Sequence, residues 1–197
     1  MANGKVLTGF SLPWIALYAN SGTTVTYSGG IPLARGVNVS LSVEAADDNV
    51  FYADNGMAET ESGVFQSGTA SVTVDGLKTA ARKMLSGVKN TRTAGQVEFD
   101  AYDDEAELPY VGFGFVCRYM EDGVTTYVPV ILTKVKFGIE GLEAATQEEN
   151  IDWQTTSLES AVMRDDTEKH TWKLIGADQT TEEAAYAAIQ AILTPAP

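Results

Sequence analysis

Hydrophobic and polar residues alternate along several stretches of this chain, and alternation at period two predicts half-buried β-strands. The clearest stretch covers residues 110–137. Phe113, Phe115, Cys117 and Tyr119 share one side of a strand, and Glu121-Asp122-Gly123 then turns the chain. Tyr127, Ile131, Val135 and Phe137 continue at even spacing on the return. Asp-Gly between alternating runs is a strong hairpin signal. Gly112 and Gly114 leave the opposite face flat, which suits a close approach by other groups. Pro129, lacking an amide donor, predicts an edge or a bulge near the start of the return strand. Val37, Val39, Leu41 and Val43 alternate in the same way, as do Val72 and Val74. Shorter strands are predicted over 14–18 and 23–27, around the turn-forming Ala19-Asn20-Ser21-Gly22. Residues 153–164 and 172–175 complete the set.

Two segments carry helical signals. Residues 79–85 form a short candidate that ends near Ser86-Gly87. Near the C-terminus, Thr180 followed by Glu183 reads as a capping box opening a helix over about 181–193. Ala185, Ala188, Ile189 and Ile192 would lie on its apolar face, with Pro195 and Pro197 ending it. Residues 89–108 read as a polar excursion. The expected fold is mainly β with two short helices, an antiparallel β-sandwich or barrel in a single domain over 1–197.

The two alternating runs at 37–43 and 72–74 bracket a long loop over about 44–70. From Gly36 to Leu77 there is no lysine or arginine, while Glu44, Asp47, Asp48, Asp54, Glu59, Glu61 and Asp75 supply carboxylates. Loops of this length are uncommon in compact domains and are usually functional or disordered. Val50, Phe51, Tyr52, Met57, Val64 and Phe65 are too many apolar groups for a solvated linker, so the loop is expected to order against a surface. The chain itself need not supply all of that surface.

The chain of 197 residues carries a net charge of −14, from 27 acids against 13 bases. That balance opposes nucleic-acid binding, which depends on cations neutralising phosphates. The bases are unevenly placed. Lys78, Arg82, Lys83, Lys89 and Arg92 precede a strongly acidic run from Glu98 to Glu107, so complementary charge between copies of the chain is one use of the pattern. No apolar run approaches the ~20 residues of a membrane span, and no apolar stretch of signal-peptide type follows Lys5, so neither membrane insertion nor secretion is expected. Cys117 is the only cysteine and has no partner for an internal disulfide.

Catalytic material is scarce. His170 is the sole histidine, so zinc would need unusual ligands. Its neighbours Asp165, Asp166 and Glu168 could orient a base, but no nucleophile motif accompanies them and a surface turn is the simpler account. Asp100, Asp103, Asp104, Glu105 and Glu107 offer oxygen ligands without calcium-loop spacing. Gly112-Phe-Gly114 lies in a strand pattern and not at a strand-to-helix turn, so it is no phosphate loop. No enzyme, cofactor or metal is expected.

Several segments carry a resemblance. Leu33-Ala-Arg-Gly-Val-Asn-Val-Ser-Leu41, Asp47-Asp-Asn-Val-Phe-Tyr-Ala-Asp-Asn55 and Thr73-Val-Asp-Gly-Leu77 are three of them. Tyr110-Val-Gly-Phe-Gly-Phe-Val-Cys-Arg-Tyr119, Gly123-Val-Thr-Thr-Tyr-Val-Pro-Val130 and Ala145-Thr-Gln-Glu-Glu-Asn-Ile-Asp-Trp-Gln154 are the others. In their order and spacing they resemble the major tail protein of long-tailed phages and prophages of Gram-positive bacteria, with residues 87–108 fitting least. The resemblance implies a tail-tube subunit, assembled in the host cytoplasm and residing in the virion tail. Its copies would form hexameric rings that stack into a hollow tube, alongside a tape-measure protein and tail-end proteins. Phage DNA would pass through the lumen without specific binding. On that expectation Phe51, Tyr52, Met57 and Phe65 anchor the long loop on a neighbouring subunit, and Asp47, Asp48 and Asp54 face the lumen. The alternatives are a monomeric carbohydrate- or cell-surface-binding sandwich, for which Trp14, Trp153 and Trp172 could supply an aromatic platform although all three adjoin strand patterns and read better as core or interface, and more remotely a hydrolase with paired acids.

Overall fold

A computed structural model of the chain describes residues 4–53, 55–61, 63–142, 144, 146 and 153–194; for 49, 51–53 and 56–61 it describes the backbone alone. Twelve strands and two helices follow one another among them. They are β1 (Val6–Ser21), β2 (Thr24–Pro32), β3 (Gly36–Ala45), β4 (Asn49–Ala53), β5 (Gly56–Glu61), β6 (Phe65–Val74) and α1 (Thr79–Ser86). Then come β7 (Asn90–Ala94), β8 (Val97–Ala101), β9 (Val111–Glu121), β10 (Val124–Phe137), β11 (Thr156–Met163), β12 (Lys173–Ile175) and α2 (Glu182–Leu193). No helix among the described residues is long and apolar enough to cross a membrane.

The architecture is the expected antiparallel, sandwich-like one. The main sheet runs in the order β2-β1-β9-β10-β11-β6-β3, with β12 added beside β10. Its centre is the predicted hairpin. Asp122 and Gly123, both with positive φ, make the two-residue turn that joins β9 to β10. On its other edge β10 changes partner. Val130 to Leu132 pair with β12, whereas Lys134 to Phe137 pair with β11. Where the exchange happens, the β9–β10 register shifts between Leu132 and Val135. The β11-β6-β3 part folds over the rest, and one core fills the space between, built from Phe113, Phe115, Leu132 and Phe137 on one side and Ala70, Val72, Val74, Leu158 and Val162 on the other. Ala81 and Leu85 of α1 close one end of it.

Several boundaries differ from the sequence expectation. β1 is far longer than 14–18, because its bulges at 7–9 and 11–14 break the alternation that sequence patterning detects. Residues 44–70 are not one loop. β3 extends to Ala45, β6 begins at Phe65, and β4 and β5 form a hairpin between them. The excursion at 89–108 likewise contains the β7–β8 hairpin. Pro129 sits inside β10 with no register break beside it, and its carbonyl accepts from the Gly176 amide at 2.8 Å.

Helix α2 lies on the outer face of the β2-β1-β9-β10 layer, and the flat glycine face is what receives it. Ala185, Ile189 and Leu193 pack on Trp14, Ala16, Val116 and Ile131. A Cβ on Gly112 would come within 2.6 Å of Leu193 Cδ2, and one on Gly114 would overlap Ile189 Cγ2. The helix is capped by Thr181, whose hydroxyl accepts from the Ala184 amide at 3.2 Å, so the Thr180–Glu183 box is displaced by one residue. With the helix so rotated, Leu193 is buried while Ala188 and Ile192 face outward, contrary to the face read from periodicity. Pro195 and Pro197 lie outside the described residues.

Overpacking a filled contact costs typically ~1–3 kcal/mol, so Gly114→Ala should lower unfolding free energy by about that amount. Ile189→Ala removes the atom that Gly114→Ala would strike. The double variant should therefore lose less than the sum of the two single losses in denaturant titrations, and strict additivity would contradict the seat described here.

Candidate functional site

The outer face of the β3-β6-β11 layer has a uniform chemistry. Alternation sends Val39, Leu41, Ala70, Val72, Leu158 and Val162 inward. It leaves Asn38, Ser40, Ser42 and Glu44 of β3, Ser67, Thr69, Ser71 and Thr73 of β6, and Ser157 and Glu159 of β11 on the outside. Ser67 donates to Glu44 at 2.9 Å, and the hydroxyls of Thr73 and Ser157 meet at 3.1 Å. None of the three strands contains a lysine or arginine. Cations stand around its borders: Lys136 of β10 opposite Ala161, Arg35 just before β3, and Arg164 just after β11, which donates to the Phe65 carbonyl. This hydroxyl-and-carboxylate face was missed by sequence reading, which followed acids in the loop. The signal available was the run of Ser and Thr at every second position of 67–73 and at 40 and 42.

One border of this face is unpaired. Among the described residues β3 is the last strand of the sheet, with β6 on one side and no ladder on the other. It contains neither proline nor lysine, the residues that commonly blunt an edge strand.

The β4–β5 hairpin projects from the end of that edge. Its root is pinned where Ala46 donates to the Val64 carbonyl at 2.8 Å and the Gly63 amide donates to Asp48 Oδ1 at 2.9 Å. A Cβ on Gly63 would overlap the Ala46 carbonyl. Asp47 and Asp48 are thus exposed residues at the root, and Asp48 also ties the hairpin down. Asp54 lies outside the described residues. Phe51 pairs with Glu59 across the ladder and Tyr52 with Met57, so three of the four proposed anchors share this hairpin, in backbone terms. Phe65 stands apart. It begins β6 and stacks on Trp172, with ring centroids 4.4 Å apart and planes 10° from parallel.

A second projection is β7–β8. Asn90 at its root donates to Asp103 at 2.9 Å and to Glu105 at 3.0 Å. The neighbouring basic segment is partly satisfied within the chain, Arg82 on Glu140 at 2.7 Å and Lys83 on Asp100 at 2.6 Å. Beside that root lies an open groove of about 590 Å³, between α1 and residues 138–142. Leu77, Leu85, Tyr102, Leu108, Ile139, Leu142 and Leu158 line it.

At the other end, a polar cluster joins β1 to β10. The Tyr18 hydroxyl donates to Asp166 at 2.7 Å, Lys134 donates to the same oxygen at 2.7 Å, and Lys134 lies over the Tyr18 and Tyr110 rings. Burial, and then the bond to Asp166, pushes the Tyr18 hydroxyl up to about 12, while burial also raises Tyr27. Lys134 and Tyr18 together hold the Asp166 carboxyl below its ordinary range.

Catalytic candidates are not brought together. His170 is exposed in a turn, with Nδ1 3.3 Å from the Asp165 carbonyl. Cys117 is buried in the core, and burial raises its thiol. No cluster of metal-ligating side chains occurs among the described residues. The three tryptophans do not make a platform. Trp14 is buried under α2, Trp172 is stacked on Phe65, and Trp153 is 84% exposed.

No family model and no curated protein matches the chain.

The Tyr18–Asp166–Lys134 cluster sets a pH dependence at both ends. The folded chain holds the Tyr18 proton from pH 10, where the unfolded chain loses it, up to about 12, so stability falls as pH rises through that window. Asp166 acts in the opposite sense. Its contribution is intact above the ordinary carboxylate range and is lost as pH falls through its lowered value. Tyr18→Phe should flatten the alkaline limb of Tm against pH, with Tyr27 retaining part of it. An unchanged limb would contradict the assignment.

Proposed function

We propose that this chain is the building block of a phage tail tube, a virion protein whose copies form hexameric rings that stack around a channel for the genome. The observation that carries the reading is the outer face of β3-β6-β11 taken with its open edge. A strand added by a neighbour along β3 would continue the sheet and satisfy its free backbone groups. Repeated around a ring, that continuation turns the hydroxyl-and-carboxylate face into one closed wall. Such a wall suits a channel for DNA. Phosphates are repelled by carboxylates and find no lysine or arginine in the three strands to neutralise them. Serine and threonine stay hydrated without binding the polyanion tightly. Asp47 and Asp48, at the end of β3, would add to the same field.

The projecting β4–β5 hairpin supports the second half of the reading, contact between stacked rings. Phe51, Tyr52 and Met57 are proposed to anchor it on the adjacent ring. A tape-measure protein and tail-end proteins would be the remaining partners, and the virion tail the site of residence. The competing account as a carbohydrate-binding module loses support from the tryptophans, two of which are committed to the chain's own packing.

Electron microscopy of the purified chain over a concentration series should show hollow rings or stacked tubes; particles without a channel would overturn the proposal. Within assembled tubes, Ser40→Lys combined with Ser71→Lys should leave the particles intact and create DNA retention that weakens steeply with salt. If DNA still fails to bind, the face does not line the channel. Phe51→Ala with Tyr52→Ala should leave the monomer folded and abolish stacking beyond single rings. Tubes of unchanged length would remove the hairpin from the ring contact.

A further inference from the structure

The β7–β8 hairpin is amphipathic in a direction that its own chain does not use. Cross-strand partners share a face, so Arg92 and Phe99 lie together with Ala94 and Val97, while Thr91, Thr93, Glu98 and Asp100 take the other side. Val97 and Phe99 are each 54% exposed, so neither is seated in the groove beside the hairpin's root. Arg92 makes no ion pair among the described residues, whereas the neighbouring Arg82 and Lys83 are paired with Glu140 and Asp100. The groove has the converse character. Its lining is mostly apolar, with Ile139 and Leu142 83% and 90% exposed; Asp103 and Asp104 line it as well, and so does Arg82, whose charge is already paired with Glu140.

We infer that the β7–β8 hairpin of one copy plugs into this groove on a second copy, with Phe99 and Val97 against Leu142 and Ile139 and Arg92 against Asp103 and Asp104. The occupant is chosen by complementarity: an apolar ridge bearing a cation without an ion pair meets a mostly apolar slot in which the one cation, Arg82, is neutralised by Glu140 and Asp103 and Asp104 leave an acidic excess. A volume of about 590 Å³ admits several side chains. The chain's own hairpin cannot serve, because it leaves from the groove's rim through Ala101 and Tyr102 and its root is fixed by Asn90 on Asp103 and Glu105. Plug and socket are different surfaces of one molecule, so the contact is head-to-tail and leaves each copy able to engage two neighbours. The inference rests on the self-assembly reading and adds to it a contact away from β3 and from the β4–β5 hairpin.

The test mixes two full-length single variants, Val97→Cys and Leu142→Cys, under mild oxidation. Both sites are exposed, and the native Cys117 is buried in each. The expected result is a disulfide-linked heterodimer whose yield falls roughly tenfold when Phe99→Ser and Arg92→Glu are added to the Val97→Cys chain, the loss typical of a central interface residue. Sedimentation of the unmodified chain runs in parallel. No heterodimer where sedimentation shows higher-order particles would overturn the plug and leave self-assembly standing. No heterodimer and no particles would overturn both. A heterodimer indifferent to Phe99→Ser and Arg92→Glu would mark random collision and also overturn the plug.

Discussion

The partner exchange along β10 is the constraint on which this molecule depends. Among the described residues, four register pairs, Lys134↔Met163 to Phe137↔Ser160, and the adjoining Gly138 amide bond to the Glu159 carbonyl tie the β11-β6-β3 layer to the end of β10. Just before them β12 occupies the same edge of β10. Because β11 joins only at the end of β10, it can diverge from the hairpin's plane, and a continuous ladder becomes two facing layers. The core, the outward hydroxyl face and the free edge of β3 all follow. Had β11 paired along the whole of β10, the sheet would lie flatter and Leu158 and Val162 would lose the aromatic side chains they now meet.

The two layers are finished differently. One is covered by α2, which is why glycine and alanine stand at 16, 112 and 114, where the helix comes closest. The other is left bare over most of its outer face. Interior close packing tolerates little added volume, so the covered side is fixed by sterics. The bare side is constrained by hydrogen bonding and charge.

The sequence made the central hairpin legible because its signal is local: strict alternation around Asp122-Gly123. The glycine face was legible for the same reason, as a place where something approaches. The long β1 was not, since its bulges interrupt the alternation. The two projecting hairpins were hidden by their polar composition; nothing in Asn90-Thr-Arg-Thr-Ala94 distinguishes an exposed strand from a loop until its partner is known. The rotation of α2 was misjudged because Ala188 and Ile192 are apolar enough to pass for a buried face. Phe65 read as part of a loop because the glycine at 68 breaks the strand pattern that follows it. The hydroxyl face escaped notice for a different reason. It is assembled from three strands distant in sequence, and each contributes only a few unremarkable serines and threonines.

The bare edge of β3 also bears on the life of the chain before it meets a partner. A ten-residue strand without proline or lysine is a template for indiscriminate pairing. The collective charge of −14 opposes that pairing between copies of the chain, a protection that is global, screened by salt and dependent on ionised carboxylates. Near the isoelectric point of about 4.3 that protection vanishes while the edge remains. On the proposed reading, the same acidity that would let a polyanion slide past would act earlier as a colloidal barrier, and ionic strength would set how long free copies stay apart.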